Sequence, residues 1–191
     1  MPRFAANLTM LFTERPFLDR FEAAAQAGFE AVEFLFPYAY EVGEIRSRLD
    51  QHRLQLVLHN LPAGEWDAGE RGIACDPTRV AEFRAGVTQA LAYAQALGVP
   101  QLNCLAGKAP AGVAEPVLRQ TLMSNLRFAA GALRQAGLTG PLSETLAARF
   151  DGVSHILPAH VNFSSCLFVT ETYDSHCSAK FLDERGGRTT A

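Results

Sequence analysis

The sequence predicts an α/β fold in which a parallel β-sheet is covered by helices. Two observations indicate this fold: strongly apolar segments typical of buried strands alternate with amphipathic segments of helical length, and the pair recurs about every 30 residues. The chain has 191 residues, of which 48% are apolar and 19% charged, and this is enough to bury one hydrophobic core.

Two strand and helix pairs are predicted in the first part of the chain. Strands are expected over residues 4–8 and 31–36, where apolar residues are concentrated. Apolar residues at helical spacing predict helices over 17–27 and 42–49. Gly28 follows the first of these helices directly, and glycine favours a helix end.

Two further pairs follow. Strands are predicted over residues 54–58 and 101–105, and helices over 78–97 and 117–136. Thr78 is the expected N-cap of the third helix, because a threonine hydroxyl can accept from a free backbone N–H of the first turn. Glycines close both helices, namely Gly98 and Gly137.

Residues 58–77 interrupt this pattern with an unusually long connection, LHNLPAGEWDAGERGIACDP. Loops above roughly twelve residues in a compact domain are uncommon and are usually binding loops, lids or linkers. Because this loop carries Trp66 and Arg71, we expect a binding loop that closes over a site rather than a linker.

Polar side chains stand at the ends of the predicted strands. No strand is followed by a GxGxxG or Walker lysine motif of the kind found in nucleotide-binding open sheets. In a closed barrel all carboxyl ends of the strands face one opening, where the active site is built. Each residue alone is explained equally well as a helix cap, but together they favour a (β/α) TIM-barrel type of fold. They are Asn7, Glu33, His59, Asn60 and Asn103.

Charge and cysteine usage exclude several classes of protein. A net charge of −3 provides no basic surface for nucleic acid, and no apolar run reaches the roughly 18 residues of a membrane span. The N-terminal segment MPRFAANLTMLF lacks the organisation of an export signal. The four cysteines are widely spread, which is typical of reduced thiols, so we expect a cytoplasmic protein.

Four segments resemble a known family in order and spacing: RFAANLTMLF, GFEAVEFLFPY, LHNLPAGEWDAGERGIACDP and LNCLAGKAPAG. Residues 1–138 are similar to the hydroxypyruvate isomerase family, a branch of the xylose isomerase-like TIM barrels. The resemblance implies interconversion of hydroxypyruvate and 2-hydroxy-3-oxopropanoate (tartronate semialdehyde) in glyoxylate metabolism. It also implies a divalent metal, Mg²⁺ or Mn²⁺, that assists proton transfer through an enediolate.

That chemistry gives the polar residues candidate roles in substrate binding. Arg71 and Lys108 are candidates for holding the carboxylate, and Trp66 for covering the substrate. His59 is a candidate donor to a substrate oxygen, although a structurally satisfied histidine explains it equally well. Glu33 is expected to face the opening, with Asn7, Asn60 and Asn103 beside it. In the alternative interpretation, Trp66 packs the loop and Arg71 pairs with Glu65, Asp67 or Glu70 on its surface.

The resemblance further implies a glutamate at the end of the fifth strand that binds metal and transfers a proton. Here the sequence is TGPLSETLAARF, in which Glu144 lies one position beyond the expected place. Glu144 is therefore the candidate catalytic and metal-binding residue, subject to a shift in register. Gly140 and Pro141 are expected to break this strand, because proline cannot donate to a sheet ladder.

Residues 139–191 do not resemble the family. They contain one strand-like stretch at 161–169, a group of metal-ligand residue types at 174–177 that a polar loop explains better, and a Gly-Arg tail expected to be disordered. Since eight strand-helix units need ~250 residues, we expect an incomplete barrel whose open edge favours homo-oligomers. The alternatives are a catalytically impaired remnant of an isomerase and a related barrel with another task. That task is sugar isomerisation or epimerisation, or metal-dependent cleavage of damaged DNA, against which the net negative charge weighs.

Overall fold

The structure, a computed structural model, describes residues 4–138 and two further strands at 142–145 and 161–163. Six parallel strands form one sheet, and one α-helix follows each of the first four strands. The strands are β1 (Ala5–Asn7), β2 (Ala31–Glu33), β3 (Gln55–Asn60), β4 (Gln101–Leu105), β5 (Leu142–Thr145) and β6 (Val161–Phe163). The helices are α1 (Arg20–Gln26), α2 (Val42–His52), α3 (Val80–Leu97) and α4 (Glu115–Gln135).

The strand order confirms the barrel type of fold. The strands lie side by side in chain order from β1 to β6, and each adjacent pair is parallel. A doubly wound sheet would reverse direction at a switch point, whereas a (β/α) barrel adds each strand on the same side of the previous one. All carboxyl ends of the strands therefore lie at one edge of the sheet.

Two expectations about individual elements were wrong. β5 begins at Leu142, directly after Pro141, so the proline precedes the ladder instead of interrupting it. α3 begins at Val80 without a side-chain cap, because the Thr78 hydroxyl donates to Asp76 Oδ1 at 2.7 Å. The backbone N–H of Thr78 donates to the same oxygen at 2.8 Å, so Asp76 closes a local turn before the helix.

The sheet has two different faces, which alternate along each strand. The helix face is covered by the helices and is almost fully apolar. Phe34, directly after β2, is 1% exposed and packs at 6.0 Å between ring centroids from Phe21 of α1. Other side chains of this face are Ala6, Leu8, Val32, Leu102 and Cys104, each 1% exposed or less. We call the opposite face the inner face; it carries Asn7, Glu33, Asn60 and Asn103.

An irregularity in pairing determines which residues of β3 belong to which face. Val32 pairs with Leu56, but the next residue, Glu33, pairs with Leu58. The extra residue in β3 changes the alternation at this point. As a result Leu58 and Asn60 lie on the inner face, and His59 lies on the helix face.

The structure also bears on the expectations about membrane spans and cysteines. Among the residues that the structure describes, no helix is long and apolar enough to cross a membrane. Cys75 and Cys104 are buried free thiols. The expected disordered tail and the group of ligand types at 174–177 lie outside the described residues.

Candidate active site

Two hydrogen-bonded pairs of polar side chains occupy the inner face at the carboxyl ends of the first four strands. Asn7 Nδ2 donates to Glu33 Oε1 at 2.9 Å, and Asn103 Nδ2 donates to Asn60 Oδ1 at 3.1 Å. Each pair is in register across neighbouring strands, which brings the side chains together. All four residues are at most 7% exposed. We call them the inner-face row.

The first pair is also tied to the loops at this edge. Asn7 Oδ1 accepts from the Thr9 backbone N–H at 3.0 Å, and the Thr9 hydroxyl accepts from the Leu35 N–H at 2.9 Å. These bonds connect the loop after β1 to the loop after β2. The amide of Asn7 therefore has a fixed orientation, with its nitrogen directed to the Glu33 carboxylate.

His59 is separated from the inner-face row, although its neighbour Asn60 belongs to it. The imidazole is fully buried, with Nδ1 at 3.1 Å from the Asn60 carbonyl and 3.4 Å from the Tyr38 hydroxyl. Tyr38 in turn packs edge-on against Tyr93 of α3, with 5.3 Å between ring centroids. The structure thus places His59 against the helices, away from the position expected for a donor to substrate.

The environment of His59 keeps its side chain neutral. Burial lowers the pKa of His59 to about 4, and its Nε2 has no hydrogen-bond partner among the described residues. The Tyr38 hydroxyl donates to the Asn60 carbonyl at 2.5 Å, and burial raises the pKa of Tyr38 above its ordinary value. This arrangement supports the backbone that presents Asn60 to the inner face.

The long loop after β3 is firmly attached to its surroundings. We call residues 61–79 the strap. Gly72 forms an antiparallel bridge with Ala106, and the Cys75 N–H donates to the Ala106 carbonyl at 2.8 Å. Asn125 of α4, fully buried, donates from Nδ2 to the Ala74 carbonyl at 2.9 Å. The strap and the loop after β4 therefore form one unit.

Two glycines make this close crossing of loops possible. Gly72 has φ +110° and Gly107 has φ +100°, a region that favours glycine. A Cβ on Gly72 would lie 2.2 Å from the Leu105 carbonyl oxygen, and one on Gly107 would lie 2.5 Å from the Gly72 carbonyl oxygen. Because Arg71 and Lys108 adjoin these glycines, the crossing positions both cations.

Arg71 is held by neutral groups and has no acidic partner among the described residues. Its guanidinium carbon lies 4.0 Å from the Trp66 ring centroid, and Nη1 donates to the carbonyls of Trp66 (3.0 Å) and Glu70 (2.6 Å). Trp66 rests against Phe36, with 5.0 Å between ring centroids. The expected alternative, an ion pair of Arg71 with a loop carboxylate, is not seen in this part of the chain. The Nε and Nη2 edge of the guanidinium has no hydrogen-bond partner there.

Lys108 reaches the same turn of the strap from the loop after β4. Its Nζ donates to the Gly69 carbonyl at 2.6 Å, and its side chain is exposed. Lys108 and Arg71 therefore bind carbonyls of one short turn, residues 66–70. A guanidinium stacked on a Trp ring, with a second cation bound to the same turn, forms a site suited to a small carboxylate.

Glu144 can be placed by backbone register only. It pairs with Cys104, and Ser143 pairs with Asn103. The residue in register with the inner-face row is therefore Ser143, and Glu144 is one residue further along β5. The sequence pattern indicates the same offset of one residue. A role of Glu144 in catalysis or metal binding therefore requires β5 to shift by one residue relative to β4.

The described residues do not complete a metal site. They contain no group of three or more His, Cys, Asp or Glu side chains that could hold an ion. Among the inner-face row Glu33 is the one carboxylate, and it accepts a hydrogen bond from Asn7. These donors do not suffice for Mg²⁺ or Mn²⁺, which prefer several oxygen ligands.

Sequence reasoning missed two residues that shape the site. Tyr38 supports the Asn60 carbonyl, and Asn125 anchors the strap to α4. For Asn125 a signal existed, because an amide on the apolar face of a helix has to find a partner. For Tyr38 none existed, since its partner is a backbone carbonyl 22 residues further along the chain.

Comparison with known proteins agrees with this architecture. A family model described as xylose isomerase-like TIM barrel matches residues 21–154. The chain belongs to the xylose isomerase-like TIM barrel family. A crystal structure of an AP endonuclease, family 2, from Brucella melitensis is similar to it with a TM-score of 0.74 and 38% identity. That similarity covers 85% of this chain and 67% of the other.

Curated relatives are named as isomerases. Hydroxypyruvate isomerase from Escherichia coli (strain K12) is 56% identical over 133 residues, which are 70% of this chain and 52% of the relative. A 2-oxo-tetronate isomerase from Cupriavidus necator is 49% identical over 139 residues, or 73% of this chain and 54% of the relative. The chain thus spans about half the length of the curated relatives it matches.

Proposed function

We propose that this chain is an isomerase that interconverts hydroxypyruvate and 2-hydroxy-3-oxopropanoate. The observation that carries the proposal is Arg71, whose guanidinium stacks on Trp66 and keeps one edge without a hydrogen-bond partner in the described part of the chain. This edge offers two parallel N–H donors, which match a carboxylate. The names of the relatives, hydroxypyruvate isomerase and 2-oxo-tetronate isomerase, support a short hydroxy-keto acid as substrate.

The proposed binding mode follows from the positions of the polar groups. Arg71 grips the substrate carboxylate, Lys108 adds a second positive charge, and Trp66 covers the bound acid. The inner-face row then faces the hydroxyl and carbonyl oxygens, where the Asn60–Asn103 and Asn7–Glu33 pairs supply donors and acceptors. Exclusion of water by the strap protects the enediolate that forms when a proton is removed beside the carbonyl.

Proton transfer is assigned to Glu144 as part of the same proposal. Isomerisation moves the carbon-bound proton from C3 to C2 of the substrate, and the hydroxyl proton passes from the C3 oxygen to the C2 oxygen, so that the carbonyl and hydroxyl groups exchange places. The base that removes the proton from C3 returns it to C2. A divalent metal would stabilise the enediolate charge when bound. The described residues lack a complete ligand set, so binding of Mg²⁺ or Mn²⁺ is proposed to depend on Glu144 and the remainder of the chain.

Two alternatives stay open. The related substrate 2-oxo-tetronate has one more carbon and the same carboxylate, and the strap would hold it in the same way. A binding protein without turnover is favoured by one observation, the incomplete metal ligand set within the described residues. We further propose that the chain acts in glyoxylate metabolism, that it is cytoplasmic and that it forms homo-oligomers.

The direct experiment is an isomerisation assay on the purified chain. Hydroxypyruvate is incubated with the protein and Mg²⁺, and the product is followed by NMR. We expect turnover that is lost in Glu144→Gln and kept in Asp50→Asn, a matched control at an exposed carboxylate in the last turn of α2. Binding of hydroxypyruvate without turnover would support the binding protein, and absence of both would overturn the proposal.

A further inference from the structure

The carboxylate next to Arg71 in the chain, that of Glu70, binds Arg79. Glu70 Oε1 lies 2.6 Å from Arg79 Nη1, and Glu70 Oε2 accepts from the Glu65 backbone N–H at 2.6 Å. The carboxylate also occupies the space that a side chain at Gly64 would need, 1.9 Å from the position of a Cβ there. The strap therefore has a dedicated place for this acid, between Gly64, the Glu65 N–H and Arg79.

Arg79 is itself fixed at the start of α3. Its Nε and Nη2 each donate to the Glu82 carboxylate at 2.7 Å, while Nη1 donates to Glu70. The guanidinium thus binds two carboxylates, and the hydrogen bond from Arg79 holds the pKa of Glu70 below its ordinary value. At neutral pH Glu70 is therefore charged and forms an ion pair with Arg79.

We propose that Arg79 is a positioning residue that keeps Glu70 away from Arg71, so that the Arg71 edge stays available to the substrate carboxylate. This inference rests on the proposed function, because it concerns the same carboxylate site. Without Arg79, Glu70 would have a charged carboxylate, one residue from Arg71, with no cationic partner. It would compete for the guanidinium edge that a ligand uses.

The single tryptophan provides a direct probe of the site. Trp66 is the one Trp of the chain and lies under the Arg71 guanidinium, so its fluorescence reports ligand binding there. Glycerate serves as the carboxylate probe, and glycerol is the matched molecule without a carboxylate. We expect glycerate, and not glycerol, to change the Trp66 emission of the wild-type chain with saturation.

The variants separate positioning from a merely structural role. Arg79→Gln should weaken glycerate binding about fivefold, the upper range for an exposed charge pair. Glu70→Gln alone should leave binding within about twofold, because the amide oxygen still accepts from Glu65 N–H. The double variant Arg79→Gln with Glu70→Gln should restore binding to within about twofold of the wild type, because the competing charge is gone. Arg84→Gln, at an exposed position of α3, is the control for loss of a positive charge.

Each outcome decides between the possibilities. If Glu70→Gln weakens binding as much as Arg79→Gln, or if the double variant is not restored, Arg79 only anchors the strap and the inference is overturned. If glycerate binding depends on Arg71 but is unchanged in Arg79→Gln, the inference fails and the proposed function stands. If the wild type and Arg71→Met give the same response to glycerate, the proposed function fails and the inference with it.

Discussion

The two faces of the sheet use the same strands for different purposes. On the helix face, apolar side chains such as Val32 and Leu102 are 1% exposed or less, and His59 is the one buried polar side chain of this face among those that the structure describes, where it is held neutral. On the inner face, the same strands carry one amide–carboxylate pair, Asn7–Glu33, and one amide–amide pair, Asn60–Asn103. Along one strand, residues that stabilise the core therefore alternate with residues that line the candidate site. A polar residue at a strand end identifies a site only after its face is known.

The largest expected effect is on the helix face. Phe34→Ala removes a ring that packs against Phe17 and Phe21, with centroid distances of 5.3 and 6.0 Å. We expect it to lower the free energy of unfolding by about 4 kcal/mol. Leu58→Ala, at a half-buried position of the inner face, should cost only about 1 kcal/mol. Urea unfolding measures both, and equal costs would contradict the difference between the faces.

His59 should make stability depend on pH on the acid side of neutrality. Its pKa is about 4 in the folded chain and about 6.5 when unfolded, so the unfolded state binds the proton first as pH falls. The free energy of unfolding is unaffected above pH ~6.5 and decreases by about 3 kcal/mol as pH falls to ~4. Unfolding at several pH values should show this slope, and His59→Gln should remove it. An unchanged slope in the variant would place His59 in contact with solvent.

Arg71→Met tests the site without testing the fold. The substitution removes the proposed carboxylate grip and should raise the Kd for glycerate on the order of 10- to 100-fold. Since Arg71 is exposed, the free energy of unfolding should stay within about 0.5 kcal/mol of the wild type. Trp66 fluorescence and urea unfolding report the two quantities separately. A large loss of stability with unchanged affinity would assign Arg71 to the structure of the strap.

The smallest effect is expected within the inner-face row. Asn103→Ala leaves Asn60 Oδ1 without its 3.1 Å donor and should cost about 1 kcal/mol of unfolding free energy. Gln101→Ala, on the same face at the start of β4, is the control and should cost less than about 0.5 kcal/mol. A cost above ~3 kcal/mol for Asn103→Ala would show that the row is core rather than site.

The sequence predicted the elements well because their signals are local. Apolar runs and helix-ending glycines such as Gly98 determine where strands and helices lie, and the structure agrees within a few residues. The assignment of His59 required non-local information. The extra residue in β3 that places it on the helix face is defined only by pairing with β2. Period-two alternation places His59 and Asn60 on opposite faces, but it does not say which of the two lies against the helices.

The strap shows the same boundary between local and non-local signals. Residue type alone indicates Trp66 and Arg71 as functional candidates, but spacing does not predict that their side chains stack. The pairing of Glu70 with Arg79 decides whether Arg71 has an acidic partner, and it depends on a turn that Gly64 makes possible. Residue type therefore suggested the chemistry, while competition between neighbouring charges was visible only in three dimensions.

The most direct test of the account is to map where a small hydroxy acid binds. Glycerate is added to ¹⁵N-labelled protein, and backbone amide shifts are compared between the two edges of the sheet. We predict that the shifts concentrate at the carboxyl edge, at Thr9, Leu35, Arg71 and Lys108, and that Gly28, Arg53 and Gly98 at the opposite edge stay unchanged. Shifts confined to the opposite edge, or no saturable shifts at all, would contradict the claim that this edge holds the substrate.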